Sequence, residues 1–205
     1  MGGEAYAELH CHSNFSFLDG ASHPEELVEE AVSVGLEALA LTDHDGVYGV
    51  VRFAEAARSA GLPTVFGAEV TLGLTRTQAG AADPEGTHLV VLARSPVGYA
   101  RLCRVISAAH LLGREKGRPF LDLGLLSAVG AGADLDLSTV SMIGGATLPV
   151  PSVVPGRGTD NWLVLTGCRK GPVVSALESA GPAAARSELL RLQRYFGRQN
   201  VAVEI

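Results

Sequence analysis

His10-Cys11-His12, followed by Asp19, is the first place along the chain where residue type and spacing could do chemistry. Alternate side chains of an extended backbone share a face. His10 and His12 can therefore offer two imidazoles to one cation while Cys11 points away into packing. The same residues also fit two surface histidines and an aspartate capping a turn. Thr42-Asp43-His44-Asp45 is the second cluster. There an acid beside a histidine could be a ligand and the partner that orients it, or Thr42 or Asp45 could cap a helix beside an incidental His44. Glu69 interrupts the apolar run TVFGAEV; buried, it needs a partner or a cation, and on an edge strand it would face water. His88 opens an apolar run, and Cys168 in LTGCRKG could be a thiolate ligand or a small buried apolar residue.

These groups need a frame. Residues 5–9 read as a strand, and Pro24 opens a helix with Leu27, Ala31 and Val34 inward, opposite Glu25, Glu29 and Glu30, stopped by Gly35. Ala38–Leu41 reads as a buried strand, and 47–60 as a helix with Val50, Ala54 and Ala57 inward, ending at Gly61. Strands are expected over 63–70 and 88–93, and a helix over 99–112 with Leu102, Ile106 and Ala109 on one side. Residues 130–161, rich in Gly, Ser, Thr, Pro and Val, read as a flexible insertion. A strand at 162–166, helices after Pro172 and over 183–196, and a strand at 200–204 complete the pattern. Alternation of this kind predicts parallel strands covered by helices, with reactive groups at the strands' C-terminal ends. Nearly every candidate obeys that rule. His88, at a strand's beginning, fits it poorly.

Composition bounds the function. With 47% apolar and 19% charged residues the chain reads as globular. No run approaches the roughly 18 apolar residues of a membrane span, and the start lacks a signal peptide. Three scattered cysteines point to a reducing cytoplasm. A net charge of −6 argues against binding nucleic acid by phosphate neutralisation alone, so bound cations would have to supply positive charge. The basic groups Arg114, Lys116 and Arg118, and the pair Arg169-Lys170, read as solvated turns, or as contacts to phosphate, DNA or a neighbouring domain. A mixed nitrogen and oxygen donor set suits zinc, manganese or iron.

The motifs HCHSNFSFLDG, ALTDHDGVYG and GAEV resemble the first three motifs of the PHP (polymerase and histidinol phosphatase) superfamily. With HLVVLARSPVGYARL and LTGCRKG, they resemble more narrowly the N-terminus of bacterial DNA polymerase III alpha-type subunits, nearest the error-prone branch of damage-induced translesion synthesis. The resemblance implies an α/β fold, a distorted seven-stranded β/α barrel incomplete at its C-terminus, with 1–205 a partial PHP domain. It implies metal ligation by His10, His12, Asp19, His44, Glu69, His88 and Cys168, with Asp43 orienting the site. A later Asp-x-His pair of the family lies beyond Ile205. Catalysis would run through metal on His10, His12, Asp19, His44 and Glu69, with two or three zinc or manganese ions in a complete site. The implied activity is phosphoester hydrolysis, such as 3′–5′ exonuclease action, or else a metal-braced scaffold without turnover. Implied partners are a DNA primer terminus, the remaining polymerase domains, and a sliding clamp or other translesion factors. A free-standing phosphatase acting on a small phosphomonoester such as histidinol phosphate is the alternative.

Overall fold

The computed structural model describes residues 5–77, 85–135 and 160–204. Six strands form one mixed sheet in sequence order: β1 (Ala7–Glu8), β2 (Ala38–Leu41), β3 (Thr64–Leu72), β4 (Thr87–Ala93), β5 (Trp162–Leu165) and β6 (Val201–Ala202). Helices α1 (Pro24–Ser33), α2 (Val50–Ala60), α3 (Pro96–Gly113), α4 (Leu123–Gly130), α5 (Pro172–Ala180) and α6 (Pro182–Phe196) lie between them. The α/β incomplete barrel expected from the sequence is observed, with six strands among the described residues. No described helix is long and apolar enough to cross a membrane.

The expectation of a wholly parallel sheet is corrected. β1, β2 and β3 are mutually parallel and β5 is parallel to β6, but β4 runs antiparallel to both β3 and β5. The sequence predicts no helix between β3 and β4, and a neighbouring antiparallel pair needs no crossover connection. This reversal carries the start of β4 to the end of the sheet where β2, β5 and β6 finish. His88 pairs there with Thr71, near the end of β3.

Alternation assigns the two faces. Ala68 and Val70 of β3, Leu89 and Val91 of β4, and Trp162 and Val164 of β5 pack under α3, α4 and α6. Leu39 and Leu41 of β2 pack with Val28, Ala31, Phe53 and Ala57 of α1 and α2. On the opposite, concave face lie Ala40, Val90, Leu92 and Leu165, with Leu9, Val65, Leu163 and Ala202 against them. Glu69 shares this face with Val65, His88 with Val90, and Glu204 with Ala202, by the two-residue period of a strand. The apolar floor thus ends in a polar rim.

Two helix faces differ from expectation. In α1 the buried residues are Pro24, Val28 and Ala31, and Val34 is exposed, because Val34 is the C-cap and lies past the last helical turn. In α2 Phe53 and Ala57 are buried, while Val50 and Ala54 are only partly covered. The α3 face of Leu102, Ile106 and Ala109 is buried as expected. Gly130 is the last residue of α4 and Leu135 is buried, whereas residues 136–159 of the expected insertion lie outside the described residues.

Candidate metal centre

The segment after β1 is held against β2 by its backbone: the Thr42 N–H and hydroxyl both donate to the Cys11 carbonyl, at 2.9 and 3.1 Å. Cys11 turns from the site into the α1–α2 core, and burial pushes its thiol up to about 11. Neither Thr42 nor Asp45 caps a helix, since α2 starts only at Val50 after Gly49. Asp43 is buried, and its carboxylate accepts from Ser13 N (2.8 Å), Ser13 Oγ (2.8 Å) and Ser16 Oγ (2.7 Å). Ser16 Oγ in turn accepts from His44 N at 3.1 Å. Asp43 therefore ties the 13–19 loop, which carries Asp19, to the segment carrying His44.

Asp45 supports the other side, and the sequence reading assigned it nothing beyond a cap. Its φ of 45° lies in the left-handed region. Its carboxylate accepts from Thr71 N and Thr71 Oγ1, both at 2.8 Å, and its N–H donates to the Glu69 carbonyl at 2.9 Å. These bonds fasten the segment after β2 to β3 beside Glu69.

Glu69 is the hub. It is 1% exposed, which removes the solvent-facing edge-strand alternative. Glu69 Oε2 lies 3.1 Å from His12 Nε2 and 3.2 Å from His44 Nδ1. Glu69 Oε1 lies 3.5 Å from both His10 Nε2 and His88 Nδ1. Asp19 reaches in from the mouth, bonding His12 Nδ1 and lying 3.4 Å from His44 Nε2. Neighbouring rings of His10, His12, His44 and His88 have centroids 4.4–5.0 Å apart. Three groups result, each with its ligand atoms within 4.8 Å of one another: His10-His12-Glu69, His12-Asp19-His44 and His44-Glu69-His88.

Four imidazoles around one carboxylate make an unusual electrostatic setting. Burial alone would raise the Glu69 pKa, but the close-lying imidazoles of His10, His12 and His88 and the charge of His44 hold it far below the usual carboxylate range. Burial pulls His10 down, yet its hydrogen bond to Glu204 and the nearby charges of Glu69 and Glu204 carry it up to about 10. His12 is raised in the same way by Glu69 and Asp19. His44 is lowered, by burial and by the neighbouring His12 and His88. Four buried nitrogens, His10 Nε2, His12 Nε2, His44 Nδ1 and His88 Nε2, and Glu69 Oε1 have no hydrogen-bond partner. Buried polar atoms rarely stay unsatisfied. A divalent cation would satisfy several at once, and the imidazole and carboxylate donors suit one.

Six of the seven expected ligands thus converge. Cys168 is exposed and belongs to none of the three groups. Its loop nevertheless touches the site's frame, because the His88 N–H donates to the Lys170 carbonyl at 3.1 Å. Glu204, which the sequence reading did not single out, stands at the centre instead, with Oε1 2.6 Å from His10 Nδ1. An acid just past a strand, at the end where the other candidates gather, was the signal that could have found it.

The PHP domain profile matches residues 8–205. The chain belongs to the PHP domain family. Error-prone DNA polymerases of Mycobacterium tuberculosis and Cutibacterium acnes are 50% and 48% identical to it over 98% of the chain. The PHP chain spans only 16% and 15% of the length of these two curated relatives. A candidate metal-dependent phosphoesterase from Bifidobacterium adolescentis superposes over 99% of the chain and 87% of its own, with a TM-score of 0.46 and 19% identity.

Proposed function

We propose that this PHP domain is part of an error-prone DNA polymerase acting at damaged templates in the cytoplasm, and that its cluster is a divalent metal centre cleaving phosphoester bonds. His10, His12, Asp19, His44, Glu69 and His88 hold zinc or manganese, two or three ions when complete, and Asp43 orients the loop bearing Asp19. Cys168 is left out of this ligand set. The carrying observation is the convergence of four imidazoles on the buried carboxylate of Glu69, with Asp19 against two of them. Bound cations supply Lewis acidity and a lowered pKa for water. The chain's own part is to hold them, to keep the buried Glu69 charged, and to leave Asp19 at the open side, where its side chain is 42% exposed. The substrate is the 3′ end of a DNA primer, so the reaction is a 3′–5′ exonuclease step. The partners are the remaining polymerase domains, a sliding clamp and other translesion factors.

A second reading has its own support: the donors come from segments of four strands, so metal could brace the fold without turnover. Metal analysis and exonuclease assays of the full-length protein, beside His12→Ala, separate these. Metal-dependent release of a mispaired 3′ nucleotide, lost in His12→Ala, supports the hydrolytic centre. Tightly held metal without ester cleavage leaves the brace. Equal exonuclease activity in both proteins would remove the proposal. Cleavage of small phosphomonoesters but not DNA ends would favour a phosphatase instead.

A further inference from the structure

His10 and Glu204 stand at opposite ends of the strand order. β1 and β6 are the outer strands of the six, and in a flat sheet five spacings would separate them by about 24 Å. Yet His10, just past β1, and Glu204, just past β6, are joined by a 2.6 Å hydrogen bond. The sheet curls until its two edges meet at the metal-site end. The Glu204 backbone is fixed there too: its N–H donates to Thr166 Oγ1 at 3.0 Å, and Thr166 N donates to the Ala202 carbonyl at 3.0 Å. His10 is secured from its own side, where its N–H donates to Glu8 Oε1 at 2.9 Å.

Only one nitrogen of the His10 ring remains for the centre. Nδ1 is taken by Glu204, and the opposite nitrogen, Nε2, is buried without a hydrogen bond, 3.5 Å from Glu69 Oε1. We propose that Glu204 is a positioning residue for the metal centre: it holds the proton on His10 Nδ1 and so presents Nε2, lone pair inward, as the ligand atom. The inference rests on the metal-centre reading of the cluster. The physics is that of a carboxylate behind a ligating histidine, which fixes ring orientation and tautomer and makes the ligand more basic. The carboxylate comes from the far edge of the sheet, so the first and last strands are coupled through one ligand.

The test compares wild type, Glu204→Gln and Glu204→Ala in the full chain, titrated with zinc by calorimetry, with Glu69→Gln as a binding-deficient control. Zinc affinity should fall about 10–100-fold in Glu204→Ala, with partial recovery in Glu204→Gln, whose amide oxygen still accepts the bond. In the zinc-saturated wild type, proton NMR with nitrogen-15 histidine should show a low-field, exchange-protected His10 Nδ1 proton. That proton should exchange freely in Glu204→Ala and move upfield in Glu204→Gln. Wild-type affinity in both variants, or weakened binding with an unchanged His10 proton, overturns the positioning role. If Glu204→Ala does not fold, the Glu204→Gln signature decides the matter alone. Wild type binding no better than Glu69→Gln would instead bring down the metal-centre reading itself.

Discussion

Beside Glu69, His10 and His12 can each hold either a proton or a cation, and this choice governs how the site responds to pH. His10, raised to about 10, and His12, raised as well, hold protons in the metal-free fold that they would shed in the unfolded chain above about pH 6.5. Their stabilisation is therefore complete below that pH and is lost as pH climbs toward 10. His44, lowered by burial and like charge, acts in the opposite sense, but its contribution is exhausted above about pH 6.5. Urea unfolding in chelator should therefore show falling stability between about pH 7 and pH 9. Zinc affinity should rise over the same interval, because metal displaces those protons. A flat metal-free profile would contradict this account of the cluster. The hub is tested by Glu69→Gln, which removes the charge but not the volume. The variant should lose metal binding and, near pH 6.5, about 3 kcal/mol of metal-free stability, read from metal analysis and denaturant titration.

Elements decide where these residues meet, and the sequence was uneven in disclosing them. Ala38–Leu41 was legible to the residue, because a short apolar run between a Gly-stopped helix and a polar cluster has few other readings. α4, Leu123–Gly130, was missed: LGLLSAVG is apolar on all sides, so it lacks the period that marks an amphipathic helix. The direction of β4 was also hidden, since an apolar run reads the same either way, and His88 looked misplaced for that reason alone. His10, His12, His44 and Glu69 were each ambiguous alone and became candidates through their shared position at strand ends, whereas Asp45 and Glu204 make hydrogen bonds that only the folded chain reveals. The 13–19 loop tests this level. Asp43→Ala leaves three donors from Ser13 and Ser16 without their acceptor. It should cost about 1–3 kcal/mol in denaturant unfolding and weaken metal binding about 10–100-fold in calorimetry, although Asp43 touches none of the ligand side chains. Asp43→Asn should restore part of both, since it keeps one acceptor oxygen. Unchanged affinity in Asp43→Ala would mean the loop is placed without it.

At the scale of the molecule, the centre is where a sheet with two free edges closes. Donors come from the segments after β1 and β2, from within β3 and from the start of β4, while Glu204 brings in β6. Ligation that binds the folded arrangement and not the unfolded chain adds RT ln(1 + [L]/Kd), about 2.7 kcal/mol at a hundredfold excess over Kd. Zinc or manganese should therefore raise the thermal midpoint and a chelator should reverse the rise. The location of the gain is more telling than its size. Hydrogen exchange should slow together in β1 and in β6, the strands farthest apart in the pairing order, because His10 and Glu204 transmit the constraint across the seam. The α5–α6 helical pair, which contributes no donor to the three groups, should change little. In Glu204→Ala the protection should persist in β1 through β4 and be lost from β6. Protection confined to the 13–19 loop and the His44 segment would show instead that metal steadies one edge only, and that the sheet curls without help from the centre.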